Sequence, residues 1–365
     1  MDLPDKASEA ARNAQILQEL KPVLIITDSD DPTSLPADAT PVLRFAQLWD
    51  MAAITQPSQS ATAAVAQRAE ATLCFCYTGG STGASRCALV THQMALWEVE
   101  KYPSVARLGR TDRVLQQHSA YWAASMYGEV DIALAFGCTL VFCEAFHQDE
   151  VVKAITTYGI TCAGLVPSVL DALAPTMLPS LKLVFTWGES LEAKTARIWA
   201  QEVQLIDLLI STEYWLSLYA DWTAMGSSAF GEDSRPPFRI VAGTEVWLRP
   251  VVEELSADCY LIAASGELLV SGPMVSPGYL DASRNSAAFV EARGRSWYCT
   301  HDCVERRPCG GLVFTGRADD LMKVGGAWVD AREVERKLGD ILGVVEARVC
   351  RRAAFVQLSY FSFGV

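Results

Sequence analysis

The feature that most limits what this chain can fold into is an alternation, sustained from Val23 to Ile210, between short apolar runs and helix-like segments. It begins at Val23-Leu24-Ile25-Ile26-Thr27, a β-branched run closed by the turn-forming Asp28-Ser29-Asp30-Asp31-Pro32. Apolar runs recur at Leu73 to Tyr77, Gly137 to Cys143, Ile160 to Val166, Leu181 to Thr186 and Leu205 to Ile210. Helix-like stretches such as Val151 to Tyr158 and Leu191 to Gln201 separate them. Strands that alternate with helices bury both faces as a mostly parallel sheet covered by helices, so the expected class is α/β. Past about Arg239 the texture changes to short strands broken by Gly and Pro, among them Val246-Trp247-Leu248 and Gly266 to Val270. That predicts a smaller β-rich subdomain over about 239–317. A charged helix at Ala331 to Leu338 and two β-like runs, Val344 to Cys350 and Ala354 to Phe361, follow.

Charge and composition narrow the function classes. With 30 Lys+Arg against 43 Asp+Glu the net charge is -13, and no basic run is present, which excludes a phosphate-backbone binder of nucleic acid. The longest uncharged apolar stretch, Ile132 to Cys143, contains Gly137 and Thr139 and is well short of the roughly 20 residues a membrane span needs. The first twenty residues are polar and acidic rather than signal-like, so a cytoplasmic location is expected. Eleven cysteines scattered among apolar neighbours read as free thiols. Cys299, His301, Cys303 and Cys309 are all zinc-ligand types, but their spacing forms no C-x-x-C pair, and structural thiols are the competing reading.

A loop with phosphate-binding character runs Tyr77-Thr78-Gly79-Gly80-Ser81-Thr82-Gly83-Ala84-Ser85-Arg86, after an apolar strand and before a helix-like segment from Leu89 to Glu100. Its glycines let backbone amides approach a ligand, and the hydroxyls of Thr78, Ser81 and Thr82 add donors. No Gly-Lys-Ser/Thr closes it, so it is not a Walker loop. Gly79-Gly80-Ser81-Thr82-Gly83 also fits the G-x-S-x-G nucleophile elbow, which would make Ser81 a hydrolase nucleophile with a later Asp and His301. No His-Gly-Gly segment precedes it. A ligand-free glycine turn is the bland alternative.

Together with four later segments in order, the loop resembles the adenylate-forming superfamily, which includes acyl-CoA synthetases, peptide-synthetase adenylation domains and luciferases. Trp187-Gly188-Glu189-Ser190-Leu191 is similar to the family's adenine-pocket Gly-Gly-Glu-x-Leu, and Asp207 to Glu213 to its segment ending in Thr-Glu. Gly266-Glu267-Leu268 through Ser276-Pro277-Gly278-Tyr279-Leu280 resembles its Gly-Glu-Leu and Gly-Tyr signature. Tyr298 to Asp302 and Phe314 to Gly326 resemble its Thr-Gly-Asp and Gly-Arg-x-Asp elements. The resemblance implies ATP and Mg2+ as cofactors and a small-molecule carboxylic acid as substrate. CoA, or the phosphopantetheine of a carrier protein, is implied as a possible acceptor. It implies that Thr78, Gly79, Gly80, Ser81, Thr82 and Gly83 cradle phosphates, and that Gly188, Glu189, Asp207 and Ser211 line the nucleotide. By the same resemblance Thr212 holds the α-phosphate, Glu213 holds the metal, Arg86 supplies positive charge, and Asp302 and Arg317 hold the ribose. The chemistry agrees. A carboxylate attacking an α-phosphate brings anion to anion, so charge must be neutralised on both sides, and a hard cation wants oxygen ligands.

The resemblance also implies a large domain over 1–317 and, over 318–365, a hinge at Asp319 with a C-terminal domain cut short. The family's late catalytic lysine has no counterpart, since no lysine follows Lys337. A nucleotide-holding pseudoenzyme or fragment is therefore the alternative expectation. Further departures are Ser85, Arg86 and Cys87 where the family has Pro-Lys-Gly, Leu209 and Ile210 in place of its aromatic and Gly, His301 in place of a Gly, and Trp187 where a small residue is usual. Tyr121, Trp122, Tyr214 and Trp215 near the implied acid pocket suggest an apolar or aromatic acid, or simply core.

Overall fold

A computed structural model describes residues 6–27, 40–48, 68–78, 85–119, 121–143, 147–224, 235–250, 264–324, 327–339, 341, 344, 346–352 and 355–361. The chain divides into two compact units, residues 1–67 and 68–365. The first contains α1 (Lys6–Leu20) and the short parallel strands β1 (Ile25–Thr27) and β2 (Val42–Arg44).

The second unit opens with an antiparallel hairpin, β3 (Thr72–Tyr77) and β4 (Cys87–Thr91), followed by α2 (His92–Val105). This corrects the expectation of a helix from Leu89. The β-branched Val90-Thr91 completes a strand, and the Thr91 hydroxyl accepts from Met94 N at 3.3 Å, so α2 starts at His92. The glycine loop therefore joins two strands. A nucleophile elbow needs a strand-to-helix turn, which removes the hydrolase reading of Ser81.

Next comes a seven-stranded sheet. Its parallel members are β5 (Arg113–Gln116), β6 (Thr139–Phe142), β7 (Cys162–Gly164), β8 (Leu183–Thr186) and β9 (Gln204–Leu208), and β10 (Leu218–Asp221) and β11 (Arg239–Ile240) join it antiparallel, in the order β11-β10-β9-β8-β7-β5-β6. Helices α3 (Asp131–Phe136), α4 (Gln148–Tyr158), α5 (Pro167–Ala172) and α6 (Ala193–Trp199) connect the parallel strands. Alternate residues of each strand enter opposite cores. Leu183 and Phe185 pack with Cys162, Ile206 and Leu208, whereas Val184 packs with Leu115, Leu165 and Leu205. Burial on both faces is why these runs read as continuously apolar. The stretch Ile132 to Cys143 splits into the end of α3 and β6 at Gly137, whose φ of +64° closes the helix in the left-handed region.

The β-rich part is a five-stranded antiparallel sheet of β12 (Glu245–Arg249), β13 (Ser265–Ser271), β14 (Phe289–Ala292), β15 (Arg295–Arg306) and β16 (Leu312–Arg317). A hairpin of β17 (Leu321–Val324) and β18 (Ala327–Asp330), then α7 (Ala331–Gly339), then a hairpin of β19 (Glu346–Arg352) and β20 (Phe355–Phe361) complete the described chain.

Trp187, at the exit of β8, fills space that two glycines leave open. A Cβ on Gly164 would sit 1.9 Å from its Cη2, and one on Gly128 3.0 Å from the same atom. Gly164→Ala forces the buried indole to move and is expected to cost about 3 kcal/mol, the upper range for overpacking. The denaturant midpoint of Gly164→Ala should fall, and the added Trp187→Leu should recover part of the loss. An unchanged midpoint in the single variant would disprove the packing.

Candidate functional site

The parallel strands end together at Gln116, Phe142, Gly164, Thr186 and Leu208, and the loops that leave β8 and β9 form one wall of a cleft of about 690 Å³. Carboxyl ends of parallel strands are where open α/β sheets bind ligands. Of the sequence-predicted residues, Thr78, Arg86, Gly188, Glu189, Asp207, Ser211, Thr212, Glu213, Asp302 and Arg317 all line this cleft. Gly79, Gly80, Ser81, Thr82 and Gly83 lie outside the described residues. The base of their loop is described: Thr78 N donates to Arg86 O at 2.9 Å, Arg86 N to the Thr78 hydroxyl at 3.2 Å, and the Ser85 hydroxyl to Thr78 O.

Glu213 rides on a tight turn in which Ser211 N donates to Tyr214 O and Tyr214 N to Ser211 O, at 2.9 and 3.2 Å. Its backbone carbonyl accepts from Ser276 N at 2.8 Å. The carboxylate is buried, with Arg86 Nη2 at 3.1 Å from Oε1, the Tyr279 hydroxyl donating to Oε1, and the Ser211 hydroxyl donating to Oε2 at 2.9 Å. The Tyr279 ring carries the Arg86 guanidinium 4.8 Å from its centroid. Tyr279 reaches this place because Leu89 N donates to Gly278 O and Leu280 N to Cys87 O, which lays its segment alongside β4.

On the other wall, Asp302 and Arg317 are cross-strand partners on β15 and β16, with Nη1 3.0 Å from Oδ1, and Arg317 Nη2 donates to Asp319 Oδ2 at 2.9 Å. Burial lifts the Asp302 carboxyl to about 6, although Arg317, Tyr214 and His301 act to lower it. Burial likewise pushes Asp207 up to about 7 against the pull of Arg235. Glu189 is exposed and its carboxylate accepts from Ser168 N at 2.9 Å, so it caps α5 from the cleft side.

His301 has φ +60°, the left-handed region, where β15 bulges between its pairings to Leu269 and Glu267. The bulge turns Asp302 into the cleft, and a glycine would hold that conformation without strain. His301→Gly is expected to raise stability by about 1 kcal/mol, the left-handed strain less the glycine's extra unfolded-state entropy. A midpoint that falls would show instead that the imidazole contacts to Glu267 and Asp319, each 3.4 Å, outweigh the strain.

The sequence-based zinc alternative finds no support here. Cys299 packs with Leu269 and Trp297, Cys309 is exposed, and among the described residues no three His, Cys, Asp or Glu side chains converge to hold a metal. Of the suggested pocket aromatics, Tyr214 lines the cleft although it is 1% exposed, whereas Trp215, 3% exposed, packs in the core, its Nε1 donating to the Tyr102 hydroxyl at 2.8 Å. Tyr298 and Phe314, the first residues of two matched segments, also line the cleft, as do Arg235 and Phe238, which were not singled out in the sequence. Arg235 had one signal, its place beyond a turn-rich stretch close to the start of the β-rich part.

A model of the AMP-binding enzyme family matches residues 5–280. The chain belongs to that family. The chain is 27% identical over 351 residues to the nonribosomal peptide synthetase malG of Malbranchea aurantiaca, covering 92% of the chain and 14% of malG. It therefore spans only a small part of the length of such relatives. Its fold matches ATP-bound MatB from Rhodopseudomonas palustris with a TM-score of 0.74 at 19% identity, over 95% of this chain and 68% of that one. O-succinylbenzoate coenzyme A synthetase (MenE) from Bacillus subtilis, in complex with ATP and magnesium, gives 0.73 at 19% identity, over 95% and 70%. These two likenesses establish the adenylate-forming fold. No described helix is long and apolar enough to cross a membrane.

Proposed function

We propose that the cleft binds ATP and a small carboxylic acid and joins them as an acyl-adenylate. The observation that carries this is the convergence on one cleft of a hydroxyl- and arginine-bearing loop base (Thr78, Arg86), a Thr212-Glu213 turn and a buried Asp302 paired with the half-buried Arg317. In the reaction an acid oxygen forms a bond to the α-phosphorus, the bond from that phosphorus to the β-bridging oxygen breaks, and pyrophosphate leaves. Asp302 accepts from the ribose hydroxyls while Arg317 keeps its carboxylate in place. Thr212 donates to an α-phosphate oxygen, and Arg86 offsets charge on the polyphosphate side.

Glu213, with Ser211 and Thr212 beside it in the cleft lining, would hold a magnesium ion through its hard carboxylate oxygens. Such an ion would supply charge neutralisation at the phosphates. The acyl group then passes to a thiol. Relatedness to peptide synthetases such as malG supports a carrier protein's phosphopantetheine as acceptor, with CoA as the alternative, and residues 318–365 as the start of the part that moves between the two half-reactions. Carboxylate-dependent ATP–pyrophosphate exchange across aliphatic, aryl and amino acids tests the reading. Exchange with one acid class names the substrate. Calorimetry showing no Mg-ATP binding would remove the proposal and leave the family intact.

A further inference from the structure

Of the two Glu213 carboxylate oxygens, Oε1, the one beside the cleft-lining Arg86, already carries two donors, and Oε2 carries one. Oε1 is held by the Arg86 guanidinium at 3.1 Å and by the Tyr279 hydroxyl, Oε2 by the Ser211 hydroxyl at 2.9 Å. Two of these partners are fixed. Tyr279 is 2% exposed and its segment is pinned to β4, and Ser211 belongs to the tight turn that carries Glu213 itself. Arg86 differs, because its side chain is 36% exposed, lines the cleft, and rests on the face of the Tyr279 ring without being enclosed. Of the groups on Glu213 it is the one that can leave without unpacking the core, and a polyphosphate is the ligand that would draw it away.

We infer that Arg86, seated on Tyr279, is a gate that closes Glu213 to divalent cations until a polyphosphate enters the cleft. Tyr279 is the positioning residue: its hydroxyl aims the carboxylate and its ring parks the guanidinium. This rests on the proposed nucleotide site. Free protein pairs Glu213 with Arg86, so a cation must displace a guanidinium from a buried carboxylate, where an ion pair is screened little. When phosphates bind, Arg86 moves to them and Oε1 opens to a cation. Metal and nucleotide thus each raise the other's affinity by an equal factor, and couplings of this kind run to roughly 5–150-fold.

The test is Mn2+ binding, followed by loss of the free-ion electron paramagnetic resonance signal, to wild type, Arg86→Lys, Arg86→Ala and Tyr279→Phe, each with and without inorganic tripolyphosphate. Without tripolyphosphate, Arg86→Ala should bind Mn2+ at least about tenfold more tightly than wild type, within the usual span of coupling. Arg86→Lys, which keeps the charge, should stay near wild type. Tyr279→Phe keeps the ring under Arg86 and loses one donor to Glu213, so its Mn2+ affinity should lie between the two. Equal Mn2+ affinity of free wild type and free Arg86→Ala overturns the gate, whether both bind or neither does. If the gate holds in the free proteins but wild type fails to bind Mg-ATP by calorimetry, the nucleotide reading falls and the gate stands.

Discussion

Glu213→Gln should lower carboxylate-dependent ATP–pyrophosphate exchange by about 10²-fold or more, the usual consequence of losing one preorganised charge contact at a phosphoryl or acyl centre. The substitution keeps the side chain's shape and one acceptor oxygen for the Tyr279 hydroxyl, turns the Ser211 contact into a donation from the amide, and deletes the charge opposite Arg86. Removing one partner of a fully buried ion pair costs roughly 3–5 kcal/mol. Arg86 is partly exposed and can turn into the cleft, so the stability loss should be smaller, about 1–2 kcal/mol. Exchange kinetics and a denaturation curve on the same preparation separate the two effects. A folded variant with undiminished exchange would remove Glu213 from the chemistry altogether.

Much of this arrangement is legible in the order of residues alone, and the reasons differ from segment to segment. The runs at Leu181 to Thr186 and Leu205 to Ile210 are readable because a parallel strand buried on both faces has no polar alternation to confuse it. β5 is not, because Arg113-Val-Leu-Gln offers two apolar residues between polar ones and pairs with β6 and β7 through its backbone. The helix expected from Leu89 fails because a strand and a helix share the run, and the switch lies in one capping hydroxyl at Thr91.

At the site, residue types in order suffice to nominate Thr212, Glu213, Asp302 and Arg317, which the fold brings to one cleft from positions up to about a hundred residues apart. What the sequence does not reveal is how departures from the family pattern are absorbed. Trp187 fits only because Gly164 and Gly128 lack side chains, and His301 stands in for glycine at φ +60°. Nor does any periodicity announce that Tyr279 sits beneath Arg86, since that contact depends on how residues 278–280 pair with β4.

Asp302 supplies the second large effect, and its pH dependence has a definite sign. Burial lifts this carboxyl from 3.8 to about 6, so the folded protein holds the proton more tightly than the unfolded chain does. Its contribution to stability is therefore fully present below pH 4 and is lost as the pH rises through about 6. Ligand binding runs the opposite way, because only the carboxylate accepts from both ribose hydroxyls. Adenosine is the useful probe, since it carries no phosphate to titrate alongside. Its affinity should be about tenfold weaker at pH 5, one unit below the carboxyl's value, than on a plateau reached by pH 8. Asp302→Asn keeps one acceptor and loses the charge, so affinity should fall roughly 10- to 100-fold at pH 8, the worth of a charge-assisted hydrogen bond. The variant's affinity should also no longer change between pH 5 and 8. A wild-type profile that is flat, or a variant that keeps the slope, would place the titrating group elsewhere in the cleft, with Asp207, lifted to about 7, the next to examine.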